Sequence, residues 1–382
     1  MSGPIPPPPP PPPNGPFPPS PNEYPPAGQP WPQRQPTEPY GQWPPVPPHK
    51  PRNGWKWGLA AVAVVAVIGV SVAVTVWATG RKDAGDKPGD LPNHSSTFAG
   101  AIKSATDTGP VTVITEDPTC DPQRPILNMR AAQQENGWDK RDPSIPAEAW
   151  TSEMRAQYEA VGESMRVSAD QLVPIAKMTP HRVMRELYEQ LIAYSRAYAD
   201  SIPNYTEEDD NLARAAIATA SVIANICSAI EYGSAGARGP LVPPLSPPQD
   251  VAPVADPGNP ERFLPAENQV CREWEDTWKQ FHEESREWAT TDPSLSASEW
   301  GPEQKAINDD VASIMTALAD KLQEMGERSG NPVLRDFANL SAQYRRAYVQ
   351  ALPTYTPEDR FLATTSLRLG GIVSAACRAV AG

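Results

Sequence analysis

The sequence predicts an all-α protein in which two tandem four-helix bundles follow a proline-rich tail and one transmembrane helix. Three observations lead to this fold class: sharp changes of composition near residues 57 and 79, apolar residues spaced by three, four and seven, and a long internal repeat. The phrase "YSRAYADSIPNYTEEDD" at residues 194–210 recurs as "YRRAYVQALPTYTPEDR" at residues 344–360. Over positions 194–213, 11 of 20 residues are identical to those 150 positions later, which indicates a duplicated domain.

Residues 1–57 form the first element, a tail that contains 24 of the 49 prolines and an unbroken proline run at residues 6–13. This segment has almost no aliphatic side chains and cannot build a core, so we expect it to be disordered and polyproline-like. Such segments are ligands of polyproline-binding proteins. The tail therefore predicts a cytoplasmic polyproline-binding partner, or a role in crowding the membrane surface.

Residues 58–79 read "GLAAVAVVAVIGVSVAVTVWAT" and contain no charged side chain. At about 1.5 Å per residue, a helix of this length crosses ~30 Å of hydrocarbon. Trp55, Trp57 and Trp77 lie near its two ends, where indole rings favour the membrane interface. The absence of a polar face disfavours the alternative of a buried core helix, and we predict a single membrane span.

Basic residues flank this span on both sides, so the positive-inside rule does not orient it. Disulfides persist on the oxidising side of a membrane, and all four cysteines follow the span. We therefore expect a cytoplasmic N-terminus and an extracytoplasmic C-terminal part. The cysteines are Cys120, Cys227, Cys271 and Cys377.

The net charge of the chain is −13, although the tail carries four basic and only two acidic residues. The part after the span is therefore strongly acidic, which argues against nucleic acid as a partner.

Two repeats of ordinary domain length follow the span, each expected to fold as a unit of its own. We assign residues 80–119 to a linker, 120–232 to the first bundle, 233–270 to a Pro/Gly-rich linker and 271–382 to the second bundle.

Four helices are predicted in each repeat from the apolar spacing. The first lies around residues 126–139 and 272–288, and the second carries residues 150–172 and 300–322, with Pro302 suited to its first turn. The third runs up to Pro203 and Pro353, and the fourth is alanine-rich. Short connections make the helices antiparallel neighbours in an up-down-up-down bundle.

The repeated phrase is predicted to be the corner between the third and fourth helices. Thr206 and Thr356 are suited to cap the fourth helix, since a hydroxyl accepts a hydrogen bond from a free backbone N–H. Acidic residues follow in its first turn, where the helix dipole stabilises negative charge.

In an up-down-up-down bundle, the start of the first helix and the end of the fourth lie at the same end. Four cysteines permit three pairings, and the duplicated bundle favours one disulfide at the end of each repeat. We predict the disulfides Cys120–Cys227 and Cys271–Cys377.

One repeated polar set, the corner set, is a candidate ligand site. Its arginines and phenols could line a cleft for an anionic or sugar-like ligand. The structural alternative is a corner in which tyrosine rings pack and an arginine pairs with a carboxylate of the next helix. We favour this structural interpretation. The corner set is Tyr194, Arg196, Tyr198, Tyr205, Asp209, Tyr344, Arg346, Tyr348, Tyr355 and Asp359.

The sequence predicts no catalytic, cofactor or metal site. The four histidines are scattered, and the chain contains no GxSxG, HExxH or SxxK motif. In the second repeat, Trp274, Trp278 and Phe281 share a helix face, which we expect to pack inside the bundle. An exposed face would instead be an adhesive patch.

The proline tail "PIPPPPPPPP", the single apolar span and the alanine- and proline-rich exterior resemble the uncharacterised proline-rich single-pass membrane proteins of mycobacteria and related actinobacteria. The resemblance implies a location in the cell envelope. We therefore expect a non-enzymatic envelope protein that binds a protein partner through its two bundles. The alternatives are a bundle that binds a lipid or small amphiphile in an apolar cavity, and a hydrolase with convergent carboxylates.

Overall fold

We describe the protein from a computed structural model, which defines residues 102–381. The predicted tail and transmembrane helix lie outside this range, as does most of the predicted first linker. Residues 102–381 contain nine α-helices joined by loops and short 3₁₀ turns, and no β-strand. The predicted all-α fold class is confirmed.

The four predicted helices are present in each repeat, and a short additional helix, α5, lies between the repeats. The first repeat contains α1 (Cys120–Glu135), α2 (Ser152–Ala176), α3 (Arg182–Ser201) and α4 (Asp210–Glu231). The second contains α6 (Cys271–Glu284), α7 (Pro302–Arg328), α8 (Pro332–Ala351) and α9 (Arg360–Arg378), and α5 is Ser234–Arg238.

The helix ends follow local sequence rules. Thr206 and Thr356 form capping boxes with Asp209 and Asp359 in the turns that lead into α4 and α9, and Pro302 occupies the first turn of α7 as predicted. The first helix of repeat 1 both begins and ends earlier in the sequence than predicted. It ends before Gly137, whose φ of 91° is left-handed and terminates the helix.

The two predicted disulfides are confirmed. Cys120 is bonded to Cys227 and Cys271 to Cys377, across sequence separations of 107 and 106 residues. Each disulfide joins the start of the first helix of a repeat to the end of its fourth.

The two repeats pack against each other through their last helices, α4 and α9, which make the most extensive helix contact of the described residues. Tyr232, just after α4, stacks on Phe361 near the start of α9, with ring centroids 5.4 Å apart. Farther along, a Cβ placed on Gly371 would lie 3.9 Å from the Cβ of Ala218. These contacts show that α4 and α9 run antiparallel.

Within residues 102–381, one stretch, Glu207–Glu231, is long and apolar enough to cross a membrane by length and composition. It consists of α4 and its leading turn. Because α4 packs against both α3 and α9, its apolar residues serve the core.

Both segments predicted as linkers are packed against the bundles. Val111, Val113 and Ile114 are buried, and Phe263 and Leu264 are buried as well. The repeats therefore share one core, whereas the sequence suggested units that fold separately. The cause is that these segments contribute apolar side chains between the repeats.

Hydrogen bonds and ring contacts fix the segment between the repeats against α3 and α8. The Gln190 side chain donates to the Glu261 carbonyl at 3.1 Å and accepts from the Phe263 N–H at 2.9 Å. The Phe263 ring contacts Tyr194 of the first repeat and Phe337 of the second edge-on. One ring thus joins the third helices of both repeats.

The aromatic face of α6 is buried, as expected for a packed bundle helix. Trp274, Trp278 and Phe281 are all under 9% exposed, so they form no exposed adhesive patch. Trp274 donates its indole N–H to the Gly370 carbonyl at 3.2 Å. A Cβ on Gly370 would lie 1.8 Å from the Trp278 ring, so only glycine fits there.

Candidate functional site: a polar cleft beside the second repeat

The corner set does not form a single ligand cleft. Tyr198 and Tyr348 each accept a hydrogen bond from an indole N–H, that of Trp138 or Trp288, at 3.1 Å in both repeats. All four rings are at least half-buried and meet edge-on. Burial raises the pKa of Tyr348 to about 12, and that of Tyr198 further.

The remaining corner residues also have matched structural contacts. Tyr205 donates to the Pro143 carbonyl at 3.1 Å, and Tyr355 donates to the Pro293 carbonyl at 2.8 Å. These contacts hold the loop before the second helix against the corner. Asp209 accepts from the Thr206 N–H at 2.9 Å, and Asp359 makes the same bond to Thr356.

Arg196 and Arg346 pair with carboxylates other than the predicted ones at the corner. Arg196 contacts Asp170 at 2.7 Å and Arg346 contacts Asp320 at 2.7 Å, both on the preceding helix. The reason is that these arginines lie more than one turn before the end of their helices, facing the C-terminal half of α2 and α7.

Tyr194 and Tyr344 lie away from the corner, against the two packed segments. The Tyr344 hydroxyl donates to the Ile114 carbonyl at 3.4 Å. Burial raises the pKa of both phenols well above the ordinary value of tyrosine, so both remain protonated at neutral pH. The structure thus divides the corner set among three places.

A buried ion pair at the start of α3 and α8 connects the repeats. Arg182 donates from Nε to Asp336 Oδ2 at 2.7 Å and from Nη2 to Oδ1 at 3.4 Å. The two side chains are 2% and 0% exposed. Arg182 also donates to the carbonyls of Asp107 and Gly109. This arginine therefore joins the first repeat, the second repeat and the segment that precedes α1, which contains Asp107 and Gly109.

Glu186 of α3 lies beside this pair, and Glu189 follows one turn farther along the helix. Burial, and then the negative charge of Asp336, raise the pKa of Glu186 well above its usual value. Neither oxygen of Glu186 has a hydrogen-bond partner among residues 102–381. Burial also raises the pKa of Glu189 to about 7, although Arg185 lies 3.4 Å from it. Buried carboxyl groups without sufficient partners favour the neutral form.

An open cleft of about 500 Å³ lies against this charged cluster, and we call it the polar cleft. Its volume falls within the roughly 300–1,000 Å³ of ligand pockets. It is lined by Val111, residues 245–250 of the packed segment, Gln323, Gly326 and Glu327 of α7, the turn at residues 330–332, and Arg335, Asp336 and Asn339 of α8.

Two polar atoms at the cleft have no hydrogen-bond partner within the described part of the chain: Arg335 Nε, a donor, and Asn339 Oδ1, an acceptor. Both residues are under 10% exposed, and they lie one helical turn apart on one face of α8. The remaining Arg335 nitrogens donate to Asp250, at 2.7 Å to the carboxylate and also to the backbone carbonyl. A donor and an acceptor that are buried and have no partner among residues 102–381 thus belong to two residues that line the open cleft.

Comparison with known proteins identifies the family. Residues 102–382 match the family described as mycobacterial ESX-1 associated protein. The chain belongs to this family. An uncharacterised protein of Mycolicibacterium smegmatis (strain MKD8) is 54% identical over 333 residues, covering 86% of this chain and 87% of that protein. No solved structure matches the chain.

The mycobacterial part of the resemblance seen in the sequence is thus supported, whereas the proline-rich single-pass character stays a prediction. For this ESX-1 associated family member, sequence reasoning missed the polar cleft, because residues 245–250 were assigned to a linker. The one available signal was Arg335, which matches Arg185 of the first repeat. Within residues 102–381, no group of three or more His, Cys, Asp or Glu side chains is placed to hold a metal ion.

Proposed function

We propose that this protein is a membrane-anchored, non-enzymatic accessory component of the ESX-1 system, which binds an extended segment of a protein partner in the polar cleft. Membership of the ESX-1 associated family supports the secretion-related role. The free donor and acceptor of Arg335 and Asn339 carry the proposal for peptide binding.

The chemistry of the cleft suits a peptide group. Each backbone unit of an extended chain presents one N–H donor and one C=O acceptor. Arg335 Nε would donate to the carbonyl and Asn339 Oδ1 would accept from the N–H. Pro247, Pro248 and Pro332 line the cleft with rigid walls that lack a backbone donor, so they do not compete for the ligand.

The other two predicted classes of function have less support. A lipid or amphiphile site needs a mainly apolar lining, whereas this cleft is lined mostly by polar groups. A hydrolase needs convergent carboxyl groups free to exchange protons, whereas two of the three carboxyl groups at the cleft, those of Asp336 and Asp250, are paired with Arg182 and Arg335.

The proposed topology places residues 58–79 in the membrane, the proline tail with a polyproline-binding partner in the cytoplasm, and residues 80–382 on the outer side. Two disulfides support an oxidising location for the bundles. The envelope association of such a system is consistent with this arrangement.

A site-specific cross-linking experiment in mycobacterial cells tests the proposal. A photoreactive amino acid replaces the exposed cleft residue Gln249 in the full-length chain, and a matched variant carries it at the exposed Glu159 on α2. We expect a discrete protein adduct from position 249, lost on Asn339→Leu and lost in cells without the ESX-1 genes. Unfolding and disulfide content of Asn339→Leu are measured in parallel to establish that it is folded.

Adducts of equal yield from positions 249 and 159 would refute the proposed cleft, as would an adduct that persists in folded Asn339→Leu. An adduct that is unchanged in cells without the ESX-1 genes would refute the assignment to that system.

A further inference from the structure

The interior of the first bundle holds a buried arginine that has no acidic partner among the described residues. Arg130 of α1 is 2% exposed, and its Nη1 donates to Ser195 of α3 at 2.6 Å and to Ser168 of α2 at 3.5 Å. Its Nε and Nη2 have no hydrogen-bond partner in the described chain. Burial lowers its pKa to about 10, so the side chain remains charged at neutral pH.

The second bundle holds an arginine in the same state. Arg345 of α8 is 1% exposed, and again Nε and Nη2 have no partner among residues 102–381. Its guanidinium lies over the Phe281 ring at 4.7 Å and the Trp278 ring at 5.4 Å. Burial lowers its pKa to about 9.

The two arginines come from opposite sides of the same helix contact. Arg130 is ten residues after the first cysteine of its repeat, and the residue at that place in repeat 2 is Phe281. Arg345 is 150 residues after Ser195, which is the partner of Arg130. The arginine therefore lies on the first helix in repeat 1 and on the third helix in repeat 2. In both bundles its guanidinium lies between the first and third helices.

The same two nitrogens are free in both arginines. Nε and Nη2 form one edge of the planar guanidinium, and two parallel N–H bonds from such an edge match the two oxygens of a carboxylate or phosphate. Burying a cation without an acceptor costs stability. The ring contacts of Arg345 leave this N–H edge without an acceptor, and an acceptor supplied from outside the chain would remove the cost.

Further free donors lie beside Arg130. Gln134 is one turn along the same face of α1, and Ser164 is one turn from Ser168 on α2. Because α1 and α2 are antiparallel neighbours, Gln134 and Ser164 lie opposite each other. Gln134 Nε2 and Ser164 Oγ are buried and have no partner in the described residues, although both residues are partly exposed. The donors thus extend from the core to the surface. In the second bundle, Trp278 Nε1 is likewise without a partner there.

We propose that each bundle contains an oxyanion site in which the free edge of Arg130 or Arg345 binds two oxygens of one carboxylate, phosphate or sulfate group. Gln134 and Ser164 add donors in the first bundle, and Trp278 adds one in the second. The two sites are separate from the polar cleft and do not depend on the proposed function.

Equilibrium dialysis of the full-length chain in detergent micelles tests this assignment, with inorganic phosphate and acetate as probes and chloride as the spherical control, all at constant ionic strength. We expect two phosphate or acetate ions per chain. Arg130→Met and Arg345→Met each reduce this number to one, and the double variant to none. Arg166→Met, which removes an exposed arginine on α2, leaves two.

Tighter binding of phosphate identifies a free inorganic oxyanion as the ligand class, and tighter binding of acetate identifies a carboxylate-bearing ligand. If Arg130→Met does not fold, Gln134→Leu tests the first site, because it weakens one of the two sites at least several-fold and leaves the other unchanged. Absence of saturable binding by both oxyanions overturns the proposal. Equal binding of chloride, or loss of binding in Arg166→Met, overturns the assignment of binding to the free guanidinium edges of Arg130 and Arg345.

Discussion

Removing Arg182 tests how the two repeats are held together. Arg182→Met would leave Asp336 as a fully buried carboxylate without a cation, next to Glu186, and would free the carbonyls of Asp107 and Gly109. Breaking a buried ion pair by deleting one partner costs about 3–5 kcal/mol. We expect the free energy of unfolding to fall by about that amount.

The assay is urea unfolding of the full-length chain in detergent micelles, followed by tryptophan fluorescence and far-UV circular dichroism. A second substitution separates the ion pair from the loss of packing. Asp336→Leu in the Arg182→Met background removes the uncompensated charge, so it should recover most of the lost stability. The matched control is Arg166→Met, whose exposed pair with Asp200 should contribute about 1 kcal/mol or less.

Two results would refute this reasoning. The first is a cost below about 1 kcal/mol for Arg182→Met, since a buried pair would then behave as an exposed one. The second is a double variant as unstable as the single one, because the penalty would then come from packing and not from charge.

Three further predictions concern packing, pH and the disulfides. Gly370→Ala should destabilise the chain by about 1–3 kcal/mol or more in thermal unfolding, because the new Cβ would overlap the Trp278 ring. The control Gly236→Ala, whose Cβ would have no atom within 4 Å, should be neutral or slightly stabilising. The pKa of Glu189 is raised to about 7 in the folded state, so the folded state binds this proton more tightly than the unfolded state. The free energy of unfolding therefore falls as pH rises from about 4.5 to 7, by up to about 3 kcal/mol at ~1.4 kcal/mol per pH unit. Urea midpoints of Glu189→Gln and the parent should therefore agree near pH 4.5 and diverge by pH 8, with the variant more stable; parallel curves would contradict this. Replacing the first disulfide by serines should cost up to about 4.7 kcal/mol for a loop of roughly 100 residues, measured by the shift of the unfolding midpoint, and no shift would contradict it.

The sequence was sufficient where the structure follows local rules. The helices, the capping threonines at the corner and the disulfide pairing all depend on spacing, end residues and the duplication. Matched hydrogen bonds, such as those of Trp138 and Trp288, show how closely the two copies still agree.

The candidate site could not be predicted in the same way. Arg182 and Asp336 are 154 residues apart, and polar letters at the start of a helix ordinarily indicate a solvent-exposed turn. Their burial depends on two segments, one before α1 and one between the repeats, that fold over α3 and α8. A periodicity of 3.6 identifies the core face of a helix, but it does not tell which distant segment covers the opposite face.

The antiparallel contact between α4 and its own copy α9 has a consequence for the origin of the protein. A helix that packs antiparallel on an equivalent helix does so about a two-fold axis, which is the geometry of an isologous homodimer. A single ancestral repeat could have associated with itself through this helix before the genes were fused. After fusion the two repeats could diverge in sequence, and each could acquire its own interior, as the different positions of Arg130 and Arg345 illustrate.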